Sequence, residues 1–118
     1  MSLSPQAVVN VAVKAAEDKK ALDITVLDIR KVSIVADYFI ICSGRSRAQV
    51  QAIVGNIIEK LEEEGVFALR REGFREGGWV LVDYGDVVVH VFQEAERQFY
   101  NLERLWGDAR VVGVPVNI

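Results

Sequence analysis

Trp79-Val80-Leu81-Val82-Asp83-Tyr84-Gly85-Asp86-Val87-Val88-Val89-His90-Val91-Phe92 is the stretch whose reading decides the fold. Two runs of β-branched and aromatic residues flank Tyr84-Gly85-Asp86, a turn in which Gly85 supplies the positive φ a hairpin requires. The pattern predicts two adjacent antiparallel strands. In the second, Val87, Val89 and Val91 lie on one face and Val88, His90 and Phe92 on the other, the two-residue period of a strand.

Working back from the hairpin, Glu72 to Gly78 reads as a polar, Gly-rich loop and Phe67 to Arg71 as a short strand. Before them, Ser46-Arg47-Ala48-Gln49 has the spacing of a capping box. Val50, Ile53, Val54, Ile57, Ile58 and Leu61 follow as the apolar stripe of a helix, and Gly65 closes it. Tyr38-Phe39-Ile40-Ile41-Cys42 reads as a strand buried on both faces, and Ile24 to Ile29 as another. Ser4-Pro5 starts a first helix that ends near Lys20. On the far side of the hairpin, Glu94 to Tyr100 reads as helix, and Leu102, Leu105 and Trp106 extend its apolar pattern to Gly107. The expected order is α-β-β-α-β-β-β-α, an α/β single domain with a mixed β-sheet covered by helices. Residues 1–109 form that domain. The tail 110–118 has no assigned role; it pairs at a sheet edge or is mobile.

Composition narrows the function. The chain has 118 residues, 51% of them hydrophobic, enough for one core and too few for a second domain. Its net charge of −3 opposes a function built on neutralising phosphates, so RNA contact is at most peripheral and DNA binding is not expected. Cys42 is the single cysteine and reads as a buried, reduced thiol. No apolar run approaches the roughly 20 residues of a membrane span, and no signal peptide is visible, so a cytoplasmic protein is expected, with the balance toward a bacterial one.

The residues Asp37-Tyr38-Phe39-Ile40-Ile41-Cys42-Ser43-Gly44-Arg45-Ser46, Gly78 to Phe92, Arg97, Tyr100 and Leu102-Glu103-Arg104-Leu105-Trp106 together resemble the ribosomal silencing factor family, also called RsfS or Iojap. The resemblance covers the chain up to Ala109. It implies a fold related to nucleotidyltransferases, often a homodimer when free. It also implies binding to the large ribosomal subunit through ribosomal protein L-fourteen, which sterically blocks joining of the small subunit and represses translation under nutrient limitation. No cofactor, metal or catalytic residue is implied.

The residues themselves leave several sites to weigh. Gly44-x-Ser46 before a helix suits either a helix cap or a phosphate cradle, and the cap is favoured. A nucleotidyltransferase-like enzyme or nucleotide-binding module, using Gly44, Ser46 and the Asp83/Asp86 pair, is the alternative from another class; a dimeric adaptor for some other partner is the third. His90, the sole histidine, is read as a half-buried packing residue, since no matched nucleophile motif accompanies it. Trp79 and Tyr84 sit at the ends of a strand, where they either cap the core or anchor an interface. The resemblance favours the interface. With Phe92 and Tyr100 they would then form an apolar patch, and Asp83 and Asp86 an acidic rim suited to a basic partner.

Overall fold

The computed structural model describes residues 3–100 and 110–112, with side chains described up to residue 97. The elements are α1 (Pro5–Asp18), β1 (Leu22–Asp28), β2 (Tyr38–Gly44), α2 (Arg47–Glu63), β3 (Arg70–Glu72), β4 (Trp79–Asp83), β5 (Val87–Gln93), α3 (Glu94–Tyr100) and β6 (Arg110–Val112). The expected order is found, with one strand added at its end. The strands form one mixed sheet in the order β3-β4-β5-β2-β1-β6. Its centre is the parallel pair β2–β5, and every other pairing is antiparallel.

Both long helices begin where the sequence places them. Ser4 Oγ accepts the Ala7 amide at 3.2 Å, with Pro5 at the first helical position. Ser46 Oγ accepts the Gln49 amide at 3.1 Å, but the reciprocal bond of the capping box is shifted. Gln49 Oε1 takes the amide of Arg45 at 2.7 Å, and its Nε2 reaches the carbonyls of Lys19 and Lys20. One side chain thus joins the end of α1 to the start of α2. Gly65 follows α2 with φ of +79°, the left-handed conformation expected of a residue that ends a helix.

Strand alternation divides the core between the two sheet faces. Val26, Tyr38, Ile40, Cys42, Val80, Val82, Val87, Val89 and Val91 meet α1 and α2 in the larger core. Leu27, Ile41, Val88 and Phe92 form the smaller core on the opposite face, with Ile29 and Ala36, and Phe39, Trp79 and Leu81 packed against it. Cys42 is buried, as expected, and burial pushes its thiol pKa up to about 12. Among the described residues no helix is long and apolar enough to cross a membrane.

One expectation of the fold needs correction. The third strand is Arg70–Glu72 rather than Phe67 to Arg71, and Phe67 and Leu69 are 64% and 72% exposed. Their apolar character suggested a buried strand, yet the ladder to β4 runs over Arg70 to Glu72, with the Leu69 amide adding one bond to the Asp83 carbonyl. Beyond residue 109, Arg110–Val112 pairs with Asp28 to Val26 and extends the same sheet, the edge pairing that was one of the two alternatives expected of the tail. Leu102, Leu105 and Trp106 lie outside the described residues, as does the side chain of Tyr100.

Candidate partner-binding face

The smaller core leaves part of its sheet face open. Strand register puts Asp83, Val88, Phe39 and Leu27 in one row across this face, Leu81, His90 and Ile41 in the next, and Trp79, Phe92 and Ser43 in the third. At the third row α3 crosses toward β1: the Arg97 guanidinium donates to Ser43 Oγ at 3.1 Å, to Thr25 Oγ1 at 3.2 Å and to the Asp23 carbonyl at 2.6 Å. Asp23 has φ of +50° at the irregular register of β1, so Arg97 secures a locally strained stretch of that strand. Away from Arg97, Phe39, Leu81 and Trp79 remain half-exposed.

These side chains belong to a connected aromatic cluster. Trp79 stacks on Phe92 with centroids 5.1 Å apart, and its indole Nε1–H donates to His90 Nδ1 at 3.1 Å. Phe39 meets the His90 ring edge-on at 4.7 Å. His90 is only 4% exposed, deeper than the half-buried position expected, because it stands on a strand flanked on both sides. Burial lowers its pKa to about 4, so the ring is neutral at ordinary pH.

The candidate residues do not all share this surface. Trp79 and Asp83 do. Asp83 Oδ1 accepts the Gly85 amide at 2.7 Å and Oδ2 faces Arg70 at 3.3 Å, so this carboxylate shapes the hairpin turn as well as the rim. Phe92 is on the same face but fully buried, which corrects its expected place on the surface of the patch; it supports Trp79 from beneath. Tyr84 follows the last residue of β4 and turns toward the helical face. There it lines a groove of about 290 Å³ with Leu3, Pro5, Val8, Val66 and Val87. Its hydroxyl is buried without a hydrogen-bond partner, and burial pushes its pKa up to about 12. Asp86 is exposed at the turn, and its carbonyl accepts the amides of Asp37 and Tyr38, tying the hairpin to the start of β2.

Sequence reasoning missed Phe39 and Leu81, although strand alternation aligns both with Trp79 once the register is known. It also missed the loop between β1 and β2, where Ile34 is 104% and Val35 80% exposed. The Gly44-x-Ser46 turn serves as a cap: Ser46 Oγ takes the Gln49 amide in the first turn of α2, and Gln49 Oε1 takes the Arg45 amide just before the helix. Among the described residues no three His, Cys, Asp or Glu side chains are grouped so as to share a metal ion.

The model of one protein family matches residues 2–117, past the point where the sequence resemblance was traced; its description is "Ribosomal silencing factor during starvation". The Ribosomal silencing factor RsfS of Bacillus subtilis is 51% identical over 107 residues, 91% of each chain. A crystal structure of a Chromobacterium violaceum protein superposes with a TM-score of 0.87 at 39% identity, covering 98% of this chain and 95% of that one. Another, from Bacillus halodurans, gives 0.82 at 44% identity over 92% and 98%. With a family model matching almost end to end and the fold shared at this level of identity, the chain belongs to the ribosomal silencing factor family.

Proposed function

We propose that this protein binds the large ribosomal subunit through ribosomal protein L-fourteen and, by its bulk, prevents the small subunit from joining, so that translation is repressed. It acts by occupancy, without turnover or cofactor. The observation that carries the reading is the half-open aromatic face, on which the half-buried Trp79, Phe39 and Leu81 stand with the carboxylate of Asp83, while Asp86 is exposed at the adjoining turn. Exposed aromatic anchors with a charged rim are the composition of a protein interface. Phe92 serves this face by supporting Trp79 and Tyr84 by bracing the turn, and Tyr100 keeps the neighbouring place that the resemblance gives it.

The size of the molecule suits a steric mechanism. A standard interface buries about 800 Å² per partner. That is roughly an eighth of the 6809 Å² surface of this chain, which leaves α1 and α2 on the opposite face to collide with an incoming subunit. The free protein forms a homodimer that covers the same aromatic face, so dimerisation and docking compete.

Co-sedimentation with purified large subunits at matched salt tests the reading. The wild-type chain should pellet with the subunits and reduce their joining with small subunits, and Trp79→Ala should do neither. A wild-type chain that stays in the supernatant would sink the proposal. A dimer whose stability is unchanged by added L-fourteen would remove the competition from it.

A further inference from the structure

Trp79 and His90 are not directly opposite each other in the hairpin. Trp79 pairs with Phe92 and Leu81 with His90, so Trp79 and His90 are diagonal neighbours, within reach for large side chains. The 3.1 Å bond from the indole to Nδ1 sets the histidine tautomer. Nδ1 accepts, so the ring proton of the neutral imidazole is on Nε2. That Nε2 is buried with no hydrogen-bond partner.

As a filler of space His90 is a poor choice. An aliphatic side chain of similar size would occupy the core without burying an unsatisfied N–H, and burying such a group destabilises a fold. What the imidazole supplies, and a leucine does not, is an acceptor for the indole. Phe39 and Phe92 flank the ring, at 4.7 and 6.4 Å between centroids, and keep water from taking over that role.

We infer that His90 is a positioning residue for docking: by accepting the Trp79 indole N–H it holds that ring stacked on Phe92, so Trp79 meets its partner as a purely apolar surface. The partner's pocket for Trp79 is therefore lined by apolar groups and offers the indole no acceptor. This rests on Trp79 being the anchor of the ribosomal docking face. Without the acceptor, the half-exposed indole turns to bring its N–H to water, and the shape of the face is lost.

The test is a double-mutant cycle read by large-subunit co-sedimentation. His90→Leu should weaken binding about fivefold, the net worth of one hydrogen bond, while its thermal midpoint stays level or rises. Trp79→Phe keeps an aromatic ring and removes the N–H, so in that background His90→Leu should change binding no further. Nuclear magnetic resonance should show the Trp79 indole proton exchanging slowly in the wild type and fast in His90→Leu. His90→Gln, which restores an acceptor, should recover part of both signals. His90→Phe serves the same comparison where the leucine variant does not fold.

Equal losses from His90→Leu in the wild-type and Trp79→Phe backgrounds would overturn the inference while leaving the docking face intact. So would unchanged binding by His90→Leu, or an indole proton equally labile in both proteins. Trp79→Ala that sediments like the wild type would overturn the anchor reading beneath it, and the positioning role with it.

Discussion

Acid should destabilise this fold through His90, and the amount can be worked out. Its imidazole titrates at about 4 in the folded chain against 6.5 when unfolded, because burial opposes the charged form. A group with a depressed folded pKa leaves stability whole above the unfolded value and removes it as the pH falls toward the folded one, since the unfolded chain takes up the proton first. For one such site the loss is about 1.4 kcal/mol near pH 5.5 and about 2.5 kcal/mol near pH 4.5, relative to about pH 7.5. Protonation at Nδ1 would also set two N–H groups against each other at the Trp79 contact, so the loss should be accompanied by release of the indole. The assay is urea unfolding of wild type and His90→Leu at fixed protein concentration across this range. Carboxylates titrate in both proteins, so the difference between the two curves isolates the histidine. Curves that run parallel from neutral pH to about 4.5 would refute the reasoning.

Other positions give separate checks. Gly73 has φ of +81°, and a Cβ there would run into the backbone carbonyl of Trp79, so Gly73→Ala should cost more than about 1 kcal/mol in urea unfolding and weaken co-sedimentation. Gly55→Ala is its control: an added Cβ in the middle of α2 meets nothing within 4 Å, and helix propensity should raise stability by about 0.5–1 kcal/mol with binding unchanged. Ser46→Ala should lose about 1 kcal/mol with the cap of α2, and Ser46→Gly only a few tenths, measured by thermal unfolding. Cys42, with its thiol buried and its pKa near 12, should react with a thiol reagent only as fast as the chain unfolds; rapid labelling of the native protein would contradict the buried core around it.

The elements that could be read from sequence were those in which one periodic pattern had one physical cause. The stripe from Val50 to Leu61 is largely buried as read, and the two-face alternation from Val87 to Phe92 is found as read, since each repeats long enough to define a face. Exposure was harder to read. Phe92 and Trp79 share a face, but Phe92 lies on a strand with neighbours on both sides and beneath the indole, whereas Trp79 lies one strand further out. Alternation does not distinguish these positions. Tyr84 keeps the alternation, two residues after Val82, and so it joins the helical face rather than the face of Trp79. Phe67 and Leu69 look like core residues in sequence and are exposed because they lead into β3, the edge strand of the sheet. The bond between Trp79 and His90 becomes visible only when the hairpin register sets them on a diagonal.

The last strand has a consequence for the nascent chain. β6 closes on β1, so β1 is bonded on its outer side by residues made long after it. Until Arg110 to Val112 emerge, Val26 to Asp28 present unpaired amides and carbonyls, a template on which another unfinished chain can pair. Fragments truncated before Arg110 should therefore aggregate more readily than the whole chain even where their core is formed. The sheet that β1 begins is complete only once β6 has been made.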